Sequence, residues 1–172
     1  MVIGEMISAL AWIPVLFLMV VVQKMIPDIF SFHLLSIELS LIFVVFSGFY
    51  MSVFRGGILT LLAGFFVGTL TGTVTGLFMF VYMILFCVSS LASAQVYIGQ
   101  PYFIMIFTMF CAFLEGMILV MINRYVLGAP AFYPTLLAIL PQIFILGLIS
   151  PLFFKAFRRF EVVVHAKTAQ PD

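Results

Sequence analysis

One carboxyl group lies far from any polar stretch of this sequence: Glu115, inside the apolar run MFCAFLEGMILVM. A charged side chain at the centre of a membrane raises the free energy of insertion by about 2.5–3.5 kcal/mol, so such a group usually lies inside a helix bundle with a polar partner. A proton or ion relay is the alternative, but it needs further acids or histidines across the membrane. The other five acids lie near predicted span ends or in the tails. We therefore expect a buried polar contact, made to the hydroxyl-rich segment TLTGTVTG or to a partner protein.

The other reactive residue types form no catalytic or metal-binding set. The two histidines, His33 and His165, lie in a connector and in the C-terminal tail, and no HExxH or paired Asp/His pattern is present. A serine nucleophile needs a base, yet the cluster Ser89, Ser90 and Ser93 has no histidine or lysine nearby in sequence. The sequence thus predicts a protein that is not an enzyme, with no catalytic residue, metal or cofactor.

The composition indicates whether these residues lie in water or in a membrane. Of 172 residues, 66% are hydrophobic and 8% are charged, and the mean hydropathy is +1.37. These values exclude a soluble domain and a disordered chain. Long apolar runs without polar alternation favour helices over a barrel, and a net charge of +1 argues against nucleic-acid binding. We predict an all-α integral membrane protein.

About six transmembrane helices are predicted in a single domain, residues 1–172, with a short basic cytoplasmic tail at 155–172. The predicted spans are residues 3–22, 39–54, 58–71, 77–92, 102–122 and 135–154. Between the second and third spans, Arg55-Gly56-Gly57 predicts a tight turn. These two spans are shorter than the ~20 residues that a bilayer needs. A re-entrant segment is the alternative for one of them.

The seven basic residues predict the orientation. With six spans, one side of the membrane holds both termini together with Arg55, Lys155, Arg158, Arg159 and Lys167. The opposite side has only Lys24 and Arg124. This asymmetry predicts that both termini are cytoplasmic. The cytoplasmic basic anchor is predicted to consist of Arg55, Lys155, Arg158 and Arg159.

A stripe of small residues recurs at every fourth position of the third span and the segment after it: Gly56, Thr60, Gly64, Gly68, Gly72 and Gly76. In water an interior glycine costs a helix about 1 kcal/mol relative to alanine. In lipid such residues let helix backbones approach closely, and dispersion contacts then hold the helices together. At ~100° per residue the stripe drifts by about 40° per step. Either two neighbours share it, or the helix ends near Gly72; we predict helix packing or partner binding.

The stretch RGGILTLLAGFFVGTLTGTVTGLFMFVYM resembles the signature of the rod shape-determining protein MreD family. In that pattern a span ends at an Arg-Gly turn, and a glycine-rich helix of the form G-x-x-x-D-x-[LI]-[ST]-G-x-x-x-G-[LIV] leads into the next span. The matching positions are Gly64, Leu70, Thr71, Gly72, Gly76 and Leu77, whereas Gly68 stands where the family has an acid. Chain length, the number of spans and an acid in the fifth span are also similar to the family.

The resemblance implies a compact bundle similar to the S components of vitamin transporters. It implies a non-enzymatic scaffold subunit of the bacterial cell-elongation machinery, located in the cytoplasmic membrane. The implied partners are an MreC-like bitopic membrane protein, an MreB-like filament and peptidoglycan synthases, with membrane lipid around the bundle. The alternative is a substrate-binding, S-component-like subunit of a transporter for a vitamin or another small solute.

Overall fold

The computed structural model describes the backbone of residues 2–30, 38–72, 75–95, 100–127 and 132–168, and the side chains of 10–25, 38–72, 76–94, 100–122, 125 and 140–164. All regular secondary structure in these ranges is α-helical, which confirms the predicted class. The six helices are α1 (Val2–Phe30), α2 (Leu39–Tyr50), α3 (Val53–Thr71), α4 (Thr75–Gln95), α5 (Pro101–Leu127) and α6 (Phe132–Thr168).

Four helices contain apolar stretches long enough to cross a membrane, among the residues described. These stretches are Val53–Thr71, Gly76–Ala94, Pro101–Ile122 and Leu140–Val164. By contrast α2 has 12 residues, which is about 18 Å, against about 30 Å of hydrocarbon. The α2 helix is therefore too short to span a bilayer by itself.

Five helices form a closed ring around α2. Along the ring, α1 contacts α3, α3 contacts α4, α4 contacts α5, α5 contacts α6, and α6 returns to α1, while α2 contacts all five. Every α2 residue from Leu39 to Phe49 is buried. Its Val, Ile and Phe residues would suit a strand in water. Inside a membrane protein the helix is favoured because it satisfies its own backbone hydrogen bonds.

The break between α2 and α3 falls at Met51 and Ser52, where the backbone is extended. The predicted turn at Arg55-Gly56-Gly57 is wrong, because these three residues lie buried inside α3. The glycine at position 56 serves packing instead. A Cβ atom at Gly56 would lie 2.7 Å from Cε2 of Phe86 in α4.

The predicted tail from residue 155 is also different, because α6 continues to Thr168. Its 37 residues correspond to about 55 Å. Beyond residue 155 the helix still belongs to the bundle: the rings of Phe157 and Phe160 pack against Trp12 of α1, with centroids 5.7 and 4.8 Å away.

A proline in α6 is accommodated by its neighbour. Pro151 has no N–H, so it cannot bond to the carbonyl of Gly147 one turn earlier. The Ser150 hydroxyl donates to that Gly147 carbonyl at 2.8 Å. This replacement keeps the carbonyl satisfied in an apolar environment, where an unpaired backbone group would be costly.

Candidate functional site

A buried polar group, which we call the inner cluster, surrounds the N-terminus of α2. It consists of Gln23, Glu38, Ser40, Tyr82 and Glu115, contributed by α1, the residue preceding α2, α2, α4 and α5. The Gln23 side-chain carbonyl accepts a hydrogen bond from the Ser40 N–H at 3.0 Å. This satisfies one of the backbone donors that a helix leaves free in its first turn.

The hydroxyls of the inner cluster form a directed chain. Tyr82 donates a long hydrogen bond of 3.4 Å to Oε2 of Glu38. Because a tyrosine hydroxyl has only one proton, Ser40 must be the donor in its 2.7 Å contact with the Tyr82 oxygen. The chain therefore runs from Ser40 through Tyr82 to the carboxyl group of Glu38.

Glu115 faces this chain from α5 and lies within hydrogen-bonding reach of the Glu38 carboxyl. Only 3% of Glu115 is exposed, and its Oε1 atom has no hydrogen-bond partner among the described residues. The residue lies about 21 Å along α5 from Pro101 and about 18 Å from Leu127. Two carboxyl groups thus meet beside the middle of a membrane-length helix.

Glu115 is buried, as predicted, and its described neighbour is Glu38 and not Thr69 or Thr71; the alternative contact with a partner protein stays a prediction. The hydroxyls of Thr69 and Thr71 bond to carbonyls of their own helix, at Phe65 and Val67. The side chains of residues 73 and 75 lie outside the described part of the chain.

A second polar group, which we call the end cluster, lies near the other end of α2. Nη2 of Arg55 in α3 is 2.8 Å from both carboxylate oxygens of Glu161 in α6. The indole N–H of Trp12 in α1 donates to the same carboxylate at 3.0 Å. The Arg55 side chain is 6% exposed and that of Glu161 is 16% exposed. The ion pair joins α3 to α6, and the Trp12 hydrogen bond adds α1, so the end cluster connects three helices of the ring.

Arg55 therefore does not belong with the other residues of the predicted basic anchor. Lys155, Arg158 and Arg159 are exposed on the same part of α6. The Arg158 guanidinium lies 5.9 Å from the ring centre of Tyr50. Beside them is a groove of about 310 Å³, lined by Tyr50, Pro101, Ile104, Pro151, Phe154, Lys155 and Arg158.

Much of the small-residue stripe packs inside the bundle. Gly56, Thr60, Gly64 and Gly68 are buried. The Thr60 hydroxyl lies 3.1 Å from that of Ser47 in α2, and a Cβ atom at Gly64 would lie 2.7 Å from the Met79 Cα in α4. The stripe is thus shared between two neighbours, α2 and α4.

The packed part of the stripe ends near the C-terminus of α3. Gly72 has a φ of 66°, the left-handed conformation that glycine adopts without strain at a helix C-terminus. Gly72 and Gly76 are exposed, and a Cβ atom at either position would meet nothing within 4 Å. Both sequence alternatives therefore hold: two neighbours share the stripe, and α3 ends at Gly72.

Among the described residues, no group of three or more His, Cys, Asp and Glu side chains is arranged to hold a metal ion. The polar contacts of the inner cluster and the end cluster join residues of different helices. They position helices relative to one another.

No protein-family model, curated protein or solved structure matches the chain.

Proposed function

We propose that the protein is a non-enzymatic membrane scaffold subunit of the bacterial cell-elongation machinery, in the manner of the MreD family. The observation that supports this most is that the connectors between the helices are short. The longest connection between helices, between Phe30 and Leu39, has eight residues, so the connectors leave no room for a soluble domain. A protein of this form acts through contacts within the membrane and at its surfaces.

The proposed partners are an MreC-like bitopic protein, an MreB-like filament and peptidoglycan synthases. Since the buried part of the small-residue stripe packs against α2 and α4, a partner helix is not expected there. We place the partner-binding surface on the lipid-facing side chains of α5 and α6, such as Ile106, Phe110, Phe144, Leu148 and Leu152, which are all at least half exposed. The proposed location is the cytoplasmic membrane, with the exposed basic residues of α6 on the cytoplasmic side.

One observation favours a second candidate, an S-component-like subunit that captures a small solute. Transporters often form their binding sites where a broken or shortened helix ends inside the membrane. The N-terminus of α2, surrounded by the inner cluster, has this arrangement.

Affinity purification of the tagged protein from gently solubilised membranes of its native host tests both candidates. Recovery of bitopic, filament and peptidoglycan-synthase proteins supports the scaffold. Recovery of a coupling subunit with ATPases refutes the scaffold and supports the solute-binding subunit. The double variant Phe110→Ala/Phe144→Ala is expected to lose the scaffold partners. A matched pair at exposed positions of α3, Ile58→Ala/Phe65→Ala, is expected to retain them.

A further inference from the structure

We propose that Glu38 and Glu115 together bind one monovalent cation, either a proton shared between the two carboxyl groups or a sodium ion. The two carboxyl groups lie within hydrogen-bonding reach of each other. The oxygen atoms of an ionised carboxylate accept hydrogen bonds but donate none, and two such groups carry like charges, so two ionised carboxylates in contact repel each other. A positive charge between them removes the repulsion.

The charges around the inner cluster support a single added positive charge. Two ionised carboxylates contribute −2, and the N-terminus of α2 contributes about +0.5 through the helix dipole. No ion pair among the described residues involves Glu38 or Glu115; the described ion pair joins Arg55 to Glu161. One monovalent cation brings the sum to about −0.5. That balance matters because an uncompensated charge at this depth is costly.

One acceptor atom of the pair is unused. Oε1 of Glu115 is buried and has no hydrogen-bond partner among the described residues, although buried polar atoms are nearly always paired. The inner cluster also contains the hydroxyl oxygens of Ser40 and Tyr82, which bond to each other and, through Tyr82, to Glu38. Oxygen atoms of this kind suit a hard cation such as sodium, and a proton needs only the two carboxyl oxygens.

The site also has a route by which a cation can enter and leave. Glu115 is 3% exposed, whereas Glu38 is only partly buried. A cation can therefore reach the pair from the Glu38 side. Tyr82 of α4 and Cys111 of α5 are titratable groups that interact electrostatically with Glu115, and Lys24 follows Gln23 on α1. Among the described residues none of these forms an ion pair with the carboxyl groups.

Two measurements on the full-length protein in lipid nanodiscs test the proposal. The first is the infrared absorption of protonated carboxyl groups at pH 8 in choline chloride, where exposed carboxyl groups are ionised. The second is the thermal unfolding temperature in choline chloride and in sodium chloride, followed by the fluorescence of Trp12, the single tryptophan.

A protonated-carboxyl band at pH 8 that disappears in both Glu115→Gln and Glu38→Gln, together with an unfolding temperature insensitive to sodium, identifies a shared proton. Absence of the band, with a higher unfolding temperature in sodium than in choline, identifies sodium. Glu38→Gln is expected to abolish the same response. The matched control Thr108→Val, which removes a buried hydroxyl two turns earlier on α5, is expected to retain it.

The proposal is wrong if the wild-type protein shows neither a protonated-carboxyl band nor a sodium effect. It is also wrong if either Glu38→Gln or Glu115→Gln folds and retains the wild-type response. A wild-type protein with neither signal refutes the proposal without any variant, so poor folding of a variant leaves the proposal falsifiable.

Discussion

The two polar clusters beside α2 bury charge in different ways. In the end cluster, the Arg55 guanidinium and the Glu161 carboxylate are opposite charges 2.8 Å apart, and Trp12 adds a hydrogen bond. In the inner cluster, two carboxyl groups face each other among hydroxyl and amide groups. The end cluster is electrically balanced by the chain itself, whereas among the described residues no basic side chain forms an ion pair with the carboxyl groups of the inner cluster.

Because of this difference, we expect the largest loss of stability from a substitution in the end cluster. Arg55→Ala should lower the free energy of unfolding by about 3 kcal/mol, because it leaves a largely buried carboxylate without its partner. Unfolding in mixed detergent micelles measures the change. Arg158→Ala, at an exposed position of α6, is the matched control and should change stability by less than about 1 kcal/mol. Equal effects of the two variants would mean that the end cluster does not stabilise the bundle.

A second prediction concerns the packing that brings α4 to the inner cluster. Gly64→Ala should destabilise the protein by about 1–3 kcal/mol, since the added methyl group would overlap the Met79 backbone at 2.7 Å. Gly57→Ala is the control on the same helix. Its Cβ would lie 3.8 Å from Phe86, so the change should be neutral or stabilise by up to about 1 kcal/mol. Similar losses for both variants would contradict the close approach of Gly64 to α4 as the cause of the destabilisation.

We expect the smallest loss of stability from removing a hydroxyl group of the inner cluster. Tyr82→Phe removes one hydroxyl and should cost about 1 kcal/mol, because the Ser40 hydroxyl loses its 2.7 Å partner. Ser40→Ala and the double variant complete a cycle. The double variant should cost less than the sum of the single changes, since both remove the same hydrogen bond. Strict additivity would contradict the hydrogen bond.

The sequence predicted those features that depend on local pattern. The apolar composition indicated membrane helices, and an acid in the middle of a long apolar run indicated burial of Glu115. The four-residue spacing of small residues indicated close helix packing, with an end near Gly72. Each of these signals lies within one continuous segment of the chain.

Contacts between distant segments could not be predicted in the same way. Arg55 beside two glycines looks like a turn at a membrane surface, and only the fold places it against Glu161, 106 residues later. Glu38 looks like part of an interfacial connector, because periodicity does not reveal a helix of half the membrane thickness. A signal was available for the end of α6: Phe157 and Phe160, in the predicted tail, continue the helical spacing of Phe153 in the last predicted span.

The enclosure of α2 has a consequence for biosynthesis. The helix is surrounded only when α6 has joined α1, and α6 is the last of the six helices to leave the ribosome. Until then α2 is uncovered on the side where α6 packs, and Arg55 has no contact with the carboxylate of Glu161. Chains that stop before α6 should therefore be recognised by membrane quality-control proteases. Insertion of α6 is therefore the step that completes the assembly of the bundle.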